Sequence, residues 1–70
     1  MTNKNLLIAK MTEKGLRRED VAETLGISLN AFNMKLSNET EFKASEIQAL
    51  SKMLGVSRQK DKYFFADIVD

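Results

Sequence analysis

The chain is expected to be all-α, a compact bundle of about five short helices in one domain. With 70 residues, it stands near the lower size limit for folding on a hydrophobic core alone. Proline is absent, and each of the three glycines, Gly15, Gly26 and Gly55, follows a stretch whose apolar residues recur with helical spacing. Glycine readily adopts the left-handed backbone conformation that ends helices, so these positions predict three helix ends.

The first two helices are predicted on either side of Gly15. The first covers about residues 3–14, where Leu7 and Met11 lie four apart and would share one buried face. The second covers roughly residues 18–25, and its first turn holds two acidic residues that complement the helix dipole.

A third helix is predicted to start after Ser28, whose hydroxyl can accept a hydrogen bond from a free backbone N–H of the first turn. Phe32 and Leu36 lie four apart and give this helix its buried edge. The polar stretch "SNETEFK", residues 37–43, indicates a loop in which Phe42 is expected to point inward.

The fourth helix carries Ile47, Leu50 and Leu54 on one face and stops at Gly55. The sequence alone leaves the first residue of this helix undetermined. A capping box that begins at Ser45 is one reading, and a start about two residues earlier is the other.

The last helix is predicted to be short, capped by Ser57 and ending in Tyr63-Phe64-Phe65, within a core of residues 3–65 followed by a tail, residues 66–70. These aromatic residues are expected to close the core. Three adjacent aromatics cannot all face inward on one helix, so one of them, with Ile68 and Val69 of the tail, is a candidate dimer contact.

Composition argues against several classes of function. The absence of cysteine and histidine removes disulfides, thiolate metal sites, the commonest metal ligand and the usual general base. No glycine-rich phosphate loop is present, and no apolar run approaches the ~20 residues that span a bilayer. We therefore expect neither catalysis nor a cofactor, a metal, a small-molecule ligand or a membrane. The net charge of only +1 means that any binding to nucleic acid depends on the local arrangement of charges.

Two motifs resemble a known family. The segment "GLRREDVAETLGIS", residues 15–28, places a glycine-containing turn between two short helices, and "EIQALSKMLGVS", residues 46–57, follows it. Together they resemble the phage repressor and Cro family of helix-turn-helix regulators, in particular the short repressor-like proteins of phages that infect Gram-positive bacteria. The resemblance covers about residues 6–65. It implies a lambda-repressor-like DNA-binding domain with the helix-turn-helix at helices 2 and 3.

The resemblance implies that the third helix lies in the major groove of DNA. Positions that contact bases in relatives are occupied here by Ser28, Leu29, Asn30, Asn33 and Met34. Positions that contact phosphates are occupied by Arg18, by Ser37 and Asn38, and by the loop up to Lys43. Arg17 and Lys35 flank the same helix and are added to the phosphate set because of their charge.

Each of these assignments has a simpler alternative. The two asparagines are either solvated surface residues or readers of adenine, with which an asparagine amide can pair bidentately. Leu29 and Met34 are either ordinary surface residues, a small protein-binding patch, or contacts for thymine methyl groups, and the last would favour an A·T-rich half-site. The flanking cations are either phosphate contacts or a solvated face. A second basic run, Arg58, Lys60 and Lys62, is expected to be only a solubilising face.

The expected function is that of a small Cro-type transcriptional repressor in the cytoplasm of a bacterial host cell, binding double-stranded operator DNA as a homodimer. The main alternative is a protein-interaction module that keeps the fold but uses the apolar face of helix 3 or the C-terminal tail. A third hypothesis is an antitoxin that binds DNA through the helix-turn-helix and its toxin through the tail.

Overall fold

The computed structural model describes residues 1–66 and confirms the predicted all-α bundle of five helices. The helices are α1 Lys4–Glu13, α2 Arg18–Leu25, α3 Leu29–Leu36, α4 Ala44–Leu54 and α5 Lys60–Phe64, with a short 3-10 helix, Ser57–Gln59, between the last two. α2 contacts both α3 and α4, and α5 contacts α1 and α4. The tail beyond residue 66, with the dimer contact predicted for Ile68 and Val69, lies outside the described residues.

The ends of the first three helices lie where local signals predicted them. The side chain of Asn3 accepts a hydrogen bond from the Leu6 backbone N–H at 3.1 Å and caps α1. Ser28 caps α3 as predicted, because its hydroxyl accepts from the Ala31 N–H at 3.0 Å. Gly26 ends α2 with a φ of 73°, a left-handed conformation that residues with side chains disfavour.

The structure decides between the two starts left open for α4, and it corrects the predicted cap of the last helix. α4 begins at Ala44 rather than after a capping box at Ser45, because the Glu46 carboxylate accepts a hydrogen bond from the Lys43 backbone N–H at 2.8 Å. The earlier of the two starts left open is therefore the right one. Ser57 does not cap the last helix, since it is itself the first residue of the 3-10 helix and Val56 precedes it without a side-chain capping bond.

The core is formed by apolar side chains from all five helices, and its residues with almost no exposed surface are Leu7, Met11, Val21, Ala22, Phe32, Leu36, Leu50, Leu54, Val56, Tyr63 and Phe64. Phe42 turns inward from the loop, as predicted, and its ring lies between those of Phe32 and Phe64. The ring centroids are 6.0 and 5.6 Å away, in edge-to-face contact. Of the three adjacent aromatics, Phe65 is the one left half-buried, at the edge of the core.

The N-terminal residues bind to two distant segments, which no local pattern predicted. The Asn3 N–H donates to the Tyr63 carbonyl at 2.8 Å, and the Ala66 N–H donates to the Met1 carbonyl at 3.0 Å. Between these bonds, Thr2 is paired with the amide of Asn38 in the loop after α3. The N-terminus therefore connects α5 to the end of α3 and helps to fix α3 in the bundle.

Candidate nucleic-acid interface

α3 presents one side to the core and the other to solvent. Phe32 and Leu36 have no exposed surface and anchor the inner side. On a helix of 3.6 residues per turn, Asn30 and Met34 then lie on the opposite side, with Asn33 toward one margin and Lys35 toward the other. Of the predicted base-contacting residues, Asn30 and Met34 thus lie on the outer side of α3 and Asn33 at a margin, whereas Leu29 lies at the start of the helix on the side of Leu36.

The residues in the first turns of α3 differ in how much of each side chain is exposed and available for contacts. The Ser28 hydroxyl is engaged in capping the helix. Leu29 is 40% exposed, one of the two large apolar side chains that stand out from residues 1–66. Asn30 is exposed, and its amide nitrogen makes only a weak contact, 3.8 Å, with the sulfur of Met34. Leu29 at the start of α3, and Asn30 and Met34 on its outer side, supply two apolar side chains and one amide; we call these three residues the α3 outer face.

Asn33 is held by a residue of α2. One terminal nitrogen of the Arg18 guanidinium donates to the Asn33 side-chain oxygen at 3.0 Å, and both residues are half-buried. The structure thus brings together a predicted phosphate contact and a predicted base contact. The other N–H groups of this guanidinium, and the amide NH2 of Asn33, make no hydrogen bond within residues 1–66.

Arg17 is bound to an acidic residue of its own helix turn. Its guanidinium meets the Asp20 carboxylate through two contacts, of 3.2 and 3.3 Å, and its backbone N–H donates to the same carboxylate at 3.3 Å. These side-chain and backbone hydrogen bonds hold the pKa of Asp20 below its ordinary value of 3.8. Because the Arg17 side chain is 73% exposed, a phosphate could compete for it in water.

Lys35, a predicted phosphate contact, is enclosed in the fold with its ammonium paired. Its side chain is only 11% exposed, and its ammonium lies 2.9 Å from a carboxylate oxygen of Glu46 and 3.1 Å from the carbonyl oxygen of Glu41. A lysine whose charge is neutralised inside the fold thus stands at this position of α3. The ion pair joins the end of α3 to the start of α4.

The Glu46 carboxylate is the acidic member of this pair and is equally enclosed, with its side chain 8% exposed. Burial by itself would raise the pKa of Glu46. The hydrogen bond from the Lys43 backbone N–H and the ammonium of Lys35 outweigh that effect, and the pKa lies below its ordinary value of 4.5. Glu46 is therefore a charged group that both starts α4 and holds α3.

Asn38, also predicted to contact a phosphate, is hydrogen-bonded to the N-terminal segment. Its side-chain oxygen accepts from the Thr2 N–H at 2.8 Å, and its side-chain nitrogen donates to the Thr2 carbonyl at 3.0 Å. The residue also has a φ of 65°, a left-handed conformation that asparagine tolerates better than most residues. Its amide is therefore a structural link to the N-terminus, with one N–H and one oxygen lone pair of the side chain left unpaired within residues 1–66.

Ser37 and Lys43 keep side chains that are free to bind. Both are exposed, at the end of α3 and just before α4. Within residues 1–66, the Lys43 ammonium forms no hydrogen bond and no ion pair. Arg18 and Lys43 are thus the cations of the predicted set without a carboxylate partner within residues 1–66, whereas Arg17 is paired with Asp20 and Lys35 with Glu46.

Sequence reasoning missed the residues that decide which cations are free. Asp20 is paired with Arg17, Glu46 is paired with Lys35, and Thr2 is hydrogen-bonded to the side chain of Asn38. For Glu46 a signal existed, because it stands three residues after the residue preceding α4, the spacing at which an acidic side chain binds back to a cap. No comparable signal links Thr2 to Asn38.

Comparison of the chain with protein-family models, with curated proteins and with solved structures finds no match. The resemblance to the phage repressor and Cro family therefore rests on the two sequence motifs and remains an expectation. Among residues 1–66, no helix has the length and apolar character needed to cross a membrane.

Proposed function

We propose that this protein is a sequence-specific regulator of transcription that binds double-stranded DNA with α3 in the major groove. The observation that carries the proposal is the placement of α3. It follows a tight turn after α2, exposes the weakly held amide of Asn30, and is flanked along the chain by Arg18 and Lys43, whose side chains have free donors. By its resemblance, the protein would be a small Cro-type phage repressor acting in the bacterial cytoplasm.

The chemistry of the α3 outer face suits A·T pairs. An asparagine amide such as that of Asn30 can donate to adenine N7 and accept from adenine N6 at once. Leu29 and Met34 supply apolar surface, and the thymine methyl group is the apolar feature of the major groove. We therefore expect operator half-sites that are rich in A·T at the positions facing these three residues.

Phosphate contacts would supply much of the affinity, and the structure limits their number. With Lys35 enclosed, two or three cations remain per protomer, so the slope of log K against log salt should be about −2 to −3 per protomer. A module of this size buries too little surface for tight binding alone, which favours a homodimer on two half-sites. Because each protomer has few cations free to contact phosphates, a second protomer is needed for tight binding.

The test is binding of the purified protein to duplexes selected from a randomised pool, followed by fluorescence anisotropy on the selected site. Asn30→Ala should lower affinity for the selected site and leave the low affinity for unrelated DNA nearly unchanged. Lys43→Gln should lower affinity for all sequences and reduce the salt slope by about 1. Lys62→Gln is the matched control, since it removes the same charge from an exposed lysine of α5 and should change neither quantity. Failure of the folded protein to bind any duplex at low salt would contradict the proposal.

A protein-interaction module is the second candidate, and the exposed apolar side chain of Leu29 is the observation that favours it. An apolar contact of this kind should persist as salt rises, whereas DNA binding should weaken steeply. The antitoxin hypothesis would add a partner bound through the C-terminal tail, with the helix-turn-helix still on DNA. Salt-resistant binding of a protein partner, lost in Leu29→Ser, would favour the module over the repressor.

A further inference from the structure

We infer that Arg18 is a positioning residue that fixes the Asn33 amide, so that Asn33 offers DNA a hydrogen-bond donor and selects against cytosine. This inference rests on the proposed function, because it concerns how the same helix would discriminate between bases. It goes beyond a phosphate contact, which would give Arg18 no role in sequence preference.

The chemistry of arginine determines which way the amide faces. A guanidinium carries five N–H donors and no acceptor. Its partner in the 3.0 Å contact must therefore be the Asn33 oxygen, and not the amide nitrogen. Rotating the amide by half a turn would set two donor groups against each other in a half-buried place, where an unmade hydrogen bond is costly. Arg18 thus excludes one of the two orientations that a free asparagine would sample.

The orientation that remains leaves the Asn33 NH2 group free to donate. In the major groove, purine N7 of either adenine or guanine accepts such a bond. Cytosine presents an N4 amino group, which is itself a donor. An asparagine free to rotate could turn its oxygen toward cytosine, whereas one held by Arg18 could not. The bond therefore adds a penalty against cytosine at one position of the half-site.

Asn30 supplies an internal comparison on the same helix. Its amide has only the 3.8 Å contact with the Met34 sulfur, which does not fix its orientation. Asn30 should therefore discriminate less sharply between donor and acceptor bases than Asn33 does. An effect of Arg18 on base preference should appear at the base pair of Asn33 and be absent at that of Asn30.

The experiment measures affinity for a panel of duplexes that carry each of the four base pairs at each position of the selected half-site. Asn33→Ala and Asn30→Ala first locate the base pair that each asparagine reads, as the position where preference flattens. Arg18→Met, which keeps the aliphatic stem, is then expected to weaken binding to every duplex. In addition, it should reduce the discrimination against cytosine at the Asn33 position by about fivefold or more, and leave the Asn30 position unchanged.

Two further variants keep the result interpretable. In the Asn33→Ala background, Arg18→Met should cause only the uniform loss. Asn33→Asp still accepts from Arg18 but presents an oxygen to the base, so its preference at that position should turn toward cytosine. Far-UV circular dichroism and melting show that each variant is folded.

Each outcome separates the inference from the proposed function. If Arg18→Met weakens all duplexes equally and the preference at the Asn33 position persists, Arg18 is a phosphate contact only and the inference is overturned. The inference is also overturned if Asn33→Ala flattens no position while the wild-type protein still binds specifically. Absence of specific binding by the wild-type protein overturns the proposed function itself, and the inference with it.

Discussion

Replacing Lys35 by methionine should destabilise the fold although the residue is a lysine on a surface helix. The Lys35 ammonium lies 2.9 Å from the Glu46 carboxylate, and the two side chains are only 11% and 8% exposed. Removing one partner of a buried ion pair costs about 3–5 kcal/mol, because the other charge is left uncompensated. Glu46 would keep its hydrogen bond from the Lys43 N–H, so we expect a smaller loss, about 2–3 kcal/mol.

A loss of this size is large for a domain of 70 residues. Total stabilities are about 5–15 kcal/mol, with small domains at the lower end. For a domain of this size each kcal/mol shifts Tm by about 4–8 °C, so Lys35→Met should lower Tm by about 10–20 °C. Chemical denaturation followed by far-UV circular dichroism measures the free energy of unfolding directly.

The best control is the same substitution at Lys10. Its ammonium lies 3.1 Å from the Glu13 carboxylate, nearly the same distance, but the side chains are 23% and 62% exposed. Exposed pairs at this helical spacing contribute about 0.5 kcal/mol or less. If Lys35→Met and Lys10→Met changed the free energy of unfolding equally, enclosure of the Lys35 pair would have no energetic consequence and the reasoning would be refuted.

The Lys35–Glu46 ion pair should also make the free energy of unfolding depend on pH in the acidic range. The pKa of Glu46 in the folded protein lies below its ordinary value of 4.5, so the unfolded chain binds a proton more readily than the folded one. The stabilisation is therefore complete above about pH 5 and is lost as the pH falls through the lowered pKa. Glu46→Gln should flatten this part of the curve of unfolding free energy against pH. If the Glu46→Gln protein lost stability at low pH as steeply as the wild-type protein does, other carboxylates would be responsible for the acid dependence.

Three further substitutions test the structural assignments by denaturation. Asn38→Ala should lower the free energy of unfolding by about 2–3 kcal/mol, because two hydrogen bonds to Thr2 are lost and alanine is strained at the positive φ. Asn38→Gly loses the same hydrogen bonds without the strain, so its loss should be smaller by about 1 kcal/mol. Equal losses in the two variants would contradict the strain. Ser51→Ala should leave stability unchanged or raise it by up to about 1 kcal/mol, because the Ser51 hydroxyl is buried and has no hydrogen-bond partner among residues 1–66. A clear loss of stability would reveal a partner. Gly26→Ala should cost about 1 kcal/mol through its positive φ alone, because a Cβ there meets no atom within 4 Å. A larger cost would indicate a steric clash.

Local signals were sufficient to predict the helices and most of their ends. Ser28 caps α3 and Gly26 ends α2 as predicted, because each acts on backbone groups within a few residues of itself. Phe32 and Leu36 were predicted to be buried by their spacing, which fixes the face they share. The start of α4 was open because two acceptors, at residues 46 and 48, each had a spacing that suits a capping box, and packing against Lys35 favours the first.

The sequence by itself determined that this protein is a bundle of short helices with a glycine turn before a solvent-facing α3. It did not determine which polar groups around α3 are free to bind. Lys35 and Lys43 look alike in the sequence, but only the tertiary structure places Glu46, 11 residues along the chain, against the first of them. Likewise, Arg18 reaches Asn33 across 15 residues, and Asn38 reaches Thr2 across 36. The physical reason is one of range: helix and cap signals act within one turn of backbone, whereas the partner of a long polar side chain depends on which helices pack together.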